Sequence, residues 1–223
     1  MSQIKSKERV ADHGEVFTSE REVNAMLDLV KPETERIDSR FLEPACGNGN
    51  FLAEILRRKL AVVEQRYRKS RLEYERYAVL AVSSIYGIDI QQDNVKECRE
   101  RLFSIFNAHY NGIYKTEVQD ACRASVRYIL SRNILWGDAL TLKSVCGKKE
   151  PITFSEWSPI NGSMIKRRDY TLANLLRSYL PGQGDMFPEP DLFSDLGEQV
   201  FIPNVTKDWP PVHFLKIAEA YDE

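Results

Sequence analysis

Three acidic residues, Glu43, Asp89 and Asp138, each close a short apolar run, and the first is followed by two glycines one residue apart. Residues 41–51 read FLEPACGNGNF, in which Phe41 and Leu42 have the character of a buried strand end and residues 51–56 that of a helix start. A strand, a glycine loop and a helix in that order let backbone approach a ligand closely. Gly47 and Gly49 stand without the lysine of a phosphate-binding loop or the third glycine of the dinucleotide fingerprint. An acid just ahead of such a loop repels a pyrophosphate and suits an amine or another cation. Asp89, after Ser84-Ile85-Tyr86-Gly87-Ile88, is placed to accept from two ribose hydroxyls. Asp138, after Asn133-Ile134-Leu135-Trp136-Gly137, can accept from the exocyclic amine of a purine.

Each of these residues also has a structural role open to it. Asp89 and Asp138 can cap the next helix or turn, Thr18 can be a helix N-cap, and Cys46 can be a small filler with no base near it in sequence. The two readings part on whether the surrounding elements bring the acids to one place. Residues 20–30 carry apolar residues at helical spacing behind Thr18 or Ser19, and Pro32 ends the run. Helices are expected from Asn50 toward Arg68 and over 71–82, 93–106 and 117–130. They alternate with a strand end at 41–42 and short strand-like runs at 84–90 and 133–136, and a fourth strand is expected at 151–157 before a helix at 170–180. Strands alternating with helices imply a parallel sheet, and ligands of such sheets bind at the carboxyl ends of the strands. Glu43, Asp89 and Asp138 all fall there. A ligand with an amino-acid moiety, a sulfonium, a ribose and an adenine answers all three.

The chain has 223 residues, 43% hydrophobic and 29% charged, as expected of one substantial core with an appendage. Its formal net charge of −2 gives no global pull toward nucleic acid, so any such contact rests on local patches. No window approaches the roughly 18 apolar residues of a membrane span, and MSQIKSKERVADHGE has no apolar secretion core. Cys46, Cys98, Cys122 and Cys146 form no CxxC pair, and His13, His109 and His213 are isolated, so neither a metal site nor a disulfide framework is expected. A cytoplasmic protein is the expectation. Residues 1–180 read as the ligand-binding domain and 181–223 as an irregular, proline-rich tail with a short helix at 214–221.

FLEPACGNGNF, YGIDI and NILWGDAL, in that order, resemble the first three motifs of S-adenosylmethionine-dependent DNA methyltransferases, closest to the adenine-specific enzymes and modification subunits of restriction–modification systems. HGEVFTS (13–19) is similar to that family's N-terminal cofactor motif. The resemblance covers the first two thirds of the chain. It implies a Rossmann-like class I methyltransferase fold, a doubly wound, mostly parallel sheet with helices on both faces, here in truncated form. It further implies that Phe17 and Thr18 cradle S-adenosylmethionine and that Glu43 faces the methionine amine. The backbone of Ala45, Cys46, Gly47, Asn48 and Gly49 would wrap the methionine, Asp89 would hold the ribose, Ile90 would lie on adenine and Asp138 would meet its amine. DNA is the implied substrate, with a partner subunit for target recognition or restriction.

The family's Asn/Asp-Pro-Pro-Tyr/Phe loop after the fourth strand is absent. In that loop a side-chain oxygen and a carbonyl accept the two amine hydrogens of adenine, and an aromatic ring stacks on the flipped base. In its place stands Ser155-Glu156-Trp157-Ser158-Pro159-Ile160, where Glu156 could accept, Trp157 could stack and a carbonyl near Pro159 could be the second acceptor. Asp208-Trp209-Pro210-Pro211 is a later, weaker match. The alternatives are a catalytically inactive cofactor-binding subunit, or methyl transfer to RNA or protein. Lys166-Arg167-Arg168 is expected to follow the fourth strand on the active-site side, where it could touch phosphate. Gln183-Gly184-Asp185-Met186-Phe187 resembles a sliding-clamp docking peptide.

Overall fold

The computed structural model describes residues 5–13, 15–145, 147–176, 192–193, 199–200 and 203–221. The protein is mixed α/β, built on a mostly parallel four-stranded sheet in the order β1 (Phe41–Glu43), β2 (Ile85–Asp89), β3 (Ile134–Asp138) and β4 (Lys143–Ser144). The first three strands run parallel, and β4 returns antiparallel to β3. Before the sheet come α1 (Lys7–His13), α2 (Glu20–Asp28) and α3 (Lys31–Thr34). Ser19 rather than Thr18 caps α2, in a reciprocal capping box with Glu22, and Pro32 sits in the first turn of α3, where proline is tolerated.

Two helices make each crossover: α4 (Asn50–Tyr67) and α5 (Arg71–Ser83) between β1 and β2, then α6 (Gln92–Tyr114) and α7 (Asp120–Asn133) between β2 and β3. Leu52, Leu56, Leu60 and Val63 put one face of α4 into the core with at most 1% exposure, each burial contributing about 1.5–3 kcal/mol. Helix α6 outruns the expected 93–106 because Tyr110 continues the buried row of Leu102 and Phe106, overriding the weak helix formers Asn107, His109 and Asn111.

Both crossovers step the same way along the sheet, so right-handed connections place all four helices on one face. Burial agrees. Ile85 and Ile134 join the helical core, whereas Tyr86 and Ile88, which point the other way, meet Ile152, Phe154 and Leu172. The four crossover helices therefore share one face, and Ile152, Phe154 and Leu172 cover the other. The expected fourth parallel strand is corrected. Strand β5 (Thr153–Pro159) forms a hairpin with β6 (Met164–Thr171) in a separate antiparallel sheet, and of the helix expected over 170–180 the described part is α8 (Leu172–Leu176), with 170 and 171 in β6. The pairing has a plain cause. Residues 160–163 are too few for a crossover but enough for a hairpin loop, with Gly162 at φ +59°.

Strands β7 (Leu192–Phe193) and β8 (Gln199–Val200) pair with each other, while β9 (Lys207–Asp208) and β10 (Val212–His213) pair with β6. A 3-10 turn (Phe214–Lys216) and α9 (Ile217–Ala220) end the described chain, and Phe214, Ile217 and Tyr221 lie in the main core. Residues 203–221 thus pack as part of the fold, not as an irregular tail. Their anchor is Arg167, which is 1% exposed and paired through two nitrogens with Asp169. The Trp209 ring lies 4.4 Å from the guanidinium, and Tyr128 accepts from it at 2.9 Å. In the sequence only a basic triplet is visible, because its aromatic partners stand as far apart as Tyr128 and Tyr221.

Lys59 is fully buried on α4, its ammonium nitrogen donating to the carbonyls of Ile37 and Ser39 and to the Ser84 hydroxyl. Burial pulls its pKa from 10.5 down to about 7. Between those values the unfolded chain binds more protons, so stability rises with pH across that window and the gain is lost as pH falls. Urea unfolding at pH 7 and pH 9.5 should show wild type gaining on Lys59→Met by up to about 1.4 kcal/mol per pH unit. A constant difference between the two proteins would contradict this.

Candidate functional site

The register of the parallel strands sets the spacing of the three acids. Glu43 lies opposite Gly87, two residues short of Asp89, and Asp89 lies opposite Trp136, two residues short of Asp138. All three therefore share one sheet face, stepping about 6.6 Å further out at each strand. From Glu43 to Asp138 the span is roughly 16 Å, too long for one metal ion and suited to an extended small ligand. Among the described residues no cluster of His, Cys, Asp and Glu has the makings of a metal site.

A cleft of about 570 Å³ opens along this edge, lined by Glu43, Asp89 and Asp138 together with Glu15–Thr18 of the N-terminal segment, Pro44–Gly47, Asn50, Ile90 and Leu140. Among the described residues, four carboxylates line it and no lysine or arginine does. Glu15 is neutralised by Arg9 at 2.6 Å; among the described residues the other three have no such cation. Burial raises the pKa of Glu43, partly offset by the Ala45 N–H it accepts. Asp138 is held low by the N–H of Leu140 and the Thr141 hydroxyl in a tight turn.

Asp89 is 8% exposed and organises the loops around it. One carboxylate oxygen accepts the Gly47 N–H at 2.8 Å; the other accepts the Gln91 N–H at 2.7 Å and the Asn94 side-chain amide at 3.2 Å. A carboxylate has about four acceptor positions, so one is left for a ligand hydroxyl, not the two expected. Asn94 also donates to Glu15 at 2.6 Å and so ties the N-terminal wall to Asp89. Arg9 bonds both Glu15 and Asp93, fixing α1 against the start of α6. Arg9 and Asn94 are not legible as site residues in the sequence, and Glu15 only as part of HGEVFTS, because the fold alone brings 9, 15 and 89–94 together.

The glycine loop works by shape. Gly47 has φ +53°, and a Cβ there would meet the Phe17 ring at 2.9 Å, so the ring lies directly on the loop. Gly49 has φ +85°, and a Cβ would meet the Cys98 sulfur at 2.6 Å. Gly49 also caps α4 without a side-chain hydrogen bond, which leaves the first N–H groups of that helix open to an anion such as a ligand carboxylate. Asn48 and Gly49 face α6 rather than the cleft: the Asn48 amide donates to Glu97 at 3.2 Å. Cys46 is 6% exposed with its thiol pKa raised by its contact with Cys98 and by burial, which makes it a filler and not a nucleophile. Ile90 is 48% exposed, an apolar surface held toward the cleft by the Trp136 indole, which donates to its carbonyl at 2.9 Å.

The structure does not bring Glu156, Trp157 and Pro159 to this cleft. Trp157 is 4% exposed, and its indole donates to Asn133 at 3.0 Å, at the amino end of β3. Glu156 pairs with Arg40 and accepts from Tyr170 at 3.1 Å in a separate hollow beside Phe41, Tyr86 and Phe154. Pro159 lines a third hollow with Arg36 and Tyr67. As members of an antiparallel hairpin, none of these residues stands at the carboxyl edge of the parallel sheet. The Asp208–Pro211 match fails likewise, since Trp209 covers Arg167 and Asp208 pairs with Lys166. Lys166 and Arg168 are themselves in ion pairs, so the triplet is no free phosphate patch. Residues 183–187 lie outside the described residues.

Asp89→Asn should cost about 2 kcal/mol or more, because the new amide turns a donor toward groups that already donate. Asp138→Ala, in its exposed turn, should change the melting temperature far less; equal effects would contradict the positioning role of Asp89. Comparison with protein-family models, with curated proteins and with solved structures finds no match for this chain.

Proposed function

We propose that the protein binds S-adenosylmethionine in the acid-lined cleft, on a Rossmann-like class I methyltransferase fold. The supporting observation is the donor set: three unneutralised carboxylates on one sheet face, a glycine loop under an aromatic ring, and no lysine or arginine among the described lining residues. That set opposes a pyrophosphate and fits an amine, a sulfonium and hydroxyls. Glu43 holds the amine end, the open start of α4 takes the carboxylate, and Asp89 takes one ribose hydroxyl. Ile90 supports the adenine and Asp138 accepts from its amine, while Phe17 and Thr18 close the methionine side. When bound, the cofactor supplies a methyl group activated by its sulfonium.

The acceptor reads as an adenine amine in DNA, in a restriction–modification setting. The groups that receive the amine hydrogens and stack the base come from a partner chain, because Glu156 and Trp157 stand on another sheet. The same observation favours a second reading, a subunit that binds the cofactor and never catalyses. Labelled methyl transfer to unmodified DNA, with and without the partner, separates the two.

Titration calorimetry of the purified chain should give binding of S-adenosylmethionine in the micromolar range. Ile90→Asp changes an exposed residue and should keep the fold while weakening binding at least about tenfold; Glu156→Ala should leave binding unchanged. A folded chain without binding, or an Ile90→Asp variant that binds as the parent does, would overturn the proposal.

A further inference from the structure

A second opening, about 500 Å³, runs along the outer edge of β3, between α6 and the β4–β5 connection. Its character is opposite to that of the cleft. Lys96, Arg99 and Arg132 line it, against a single acid, Glu150. The turn that joins Ser144 to Glu150 is closed by a backbone hydrogen bond of 2.8 Å between those residues; Lys148 and Lys149 lie within it and Lys143 just before it, all three exposed.

None of these six cations has a carboxylate partner among the described residues. That sets them apart from Lys166, Arg168, Arg36 and Arg40, which are all in ion pairs. Arg99 is held rigidly: its guanidinium donates to the carbonyls of Ile134 at 2.9 Å and Ser131 at 3.0 Å, which fix its direction without neutralising its charge. Trp136 lines the groove, and its indole donates to the carbonyl of Ile90, which lines the cleft. The chain's net charge of −2 therefore conceals two adjoining surfaces of opposite sign.

We propose that this groove is the track for a nucleic-acid phosphodiester backbone, which Lys96, Arg99 and Arg132, with the lysines in and just before the 144–150 turn, bring alongside the cleft. The choice of polyanion rests on the methyltransferase reading; the unpaired cations stand without it. The sequence points instead to residues 166–168 for this role, since the cationic cluster is scattered over positions 96–149 and only the sheet edge gathers it.

Anisotropy titration of a labelled DNA duplex against the full chain, across a salt series, tests this. Replacing Lys96, Arg132 and Lys143 with Ala should flatten the slope of log affinity against log salt by about 0.9 for each phosphate no longer neutralised. Replacing Arg66, Arg68 and Lys69, at the opposite end of α4, should leave the slope alone while removing the same formal charge. An unchanged slope in the first variant, equal flattening in the second, or no duplex binding by the folded chain at low salt would overturn the track. An acidic protein partner is the remaining occupant in the last case. S-adenosylmethionine titrated into the first variant should bind as in the parent, so failure of the cofactor reading and failure of the track are read separately.

Discussion

The carboxylate of Asp89 is the constraint on which the site depends. It accepts three protein hydrogen bonds, from Gly47, Gln91 and Asn94, while almost wholly buried. A buried charge is tolerated only when its lone pairs are satisfied, so the glycine loop, the start of α6 and the N-terminal wall must all be in place around it. The loop is held at its centre, Phe17 is seated on Gly47, and Asn94 carries the restraint out to Glu15 and Arg9. Removing this one group would release all three walls of the cleft.

The sheet divides the work by its two ends. At the carboxyl end, strand register staggers three acids along one face and leaves an opening suited to a cationic, hydroxylated ligand. At the amino end, Asn133 and Trp157 join β3 to the β5–β6 hairpin, and the Arg167–Asp169 pair anchors the last elements beneath an aromatic lid. That second region is structural. Asn133, Trp157, Arg167 and Asp169 are paired and buried there, and Glu156 and Pro159 open onto hollows away from the cleft. The acid-lined cleft and the hairpin residues thus lie in different places, and the cationic groove beside Trp136 adjoins Ile90 of the cleft.

The short-range features of the site are legible in sequence because their causes are local. FLEPACGNGNF carries its own strand end, loop and helix start, and the acids at 89 and 138 sit where short β-branched runs give out. Long-range pairing is not legible. A strand over 151–157 looks the same whether it joins a parallel sheet or folds back in a hairpin, and the loop at 160–163 decides the matter. Lys166-Arg167-Arg168 reads as a surface patch until Tyr128, Trp209 and Tyr221 are brought to it. Asp89 looks in sequence like a residue given over to its ligand, whereas most of its acceptor capacity serves the loop. Backbone N–H groups set that distinction, and no side-chain pattern reveals them.

Amide hydrogen exchange of the full chain, with and without S-adenosylmethionine, tests the central claim most directly. The account predicts slower exchange on ligand addition at Phe17–Thr18, Cys46–Gly49 and Ile90–Gln91, with the β5–β6 hairpin unchanged. Protection confined to the hollow beside Phe154 and Glu156, or none at any of the three cleft segments, would contradict it.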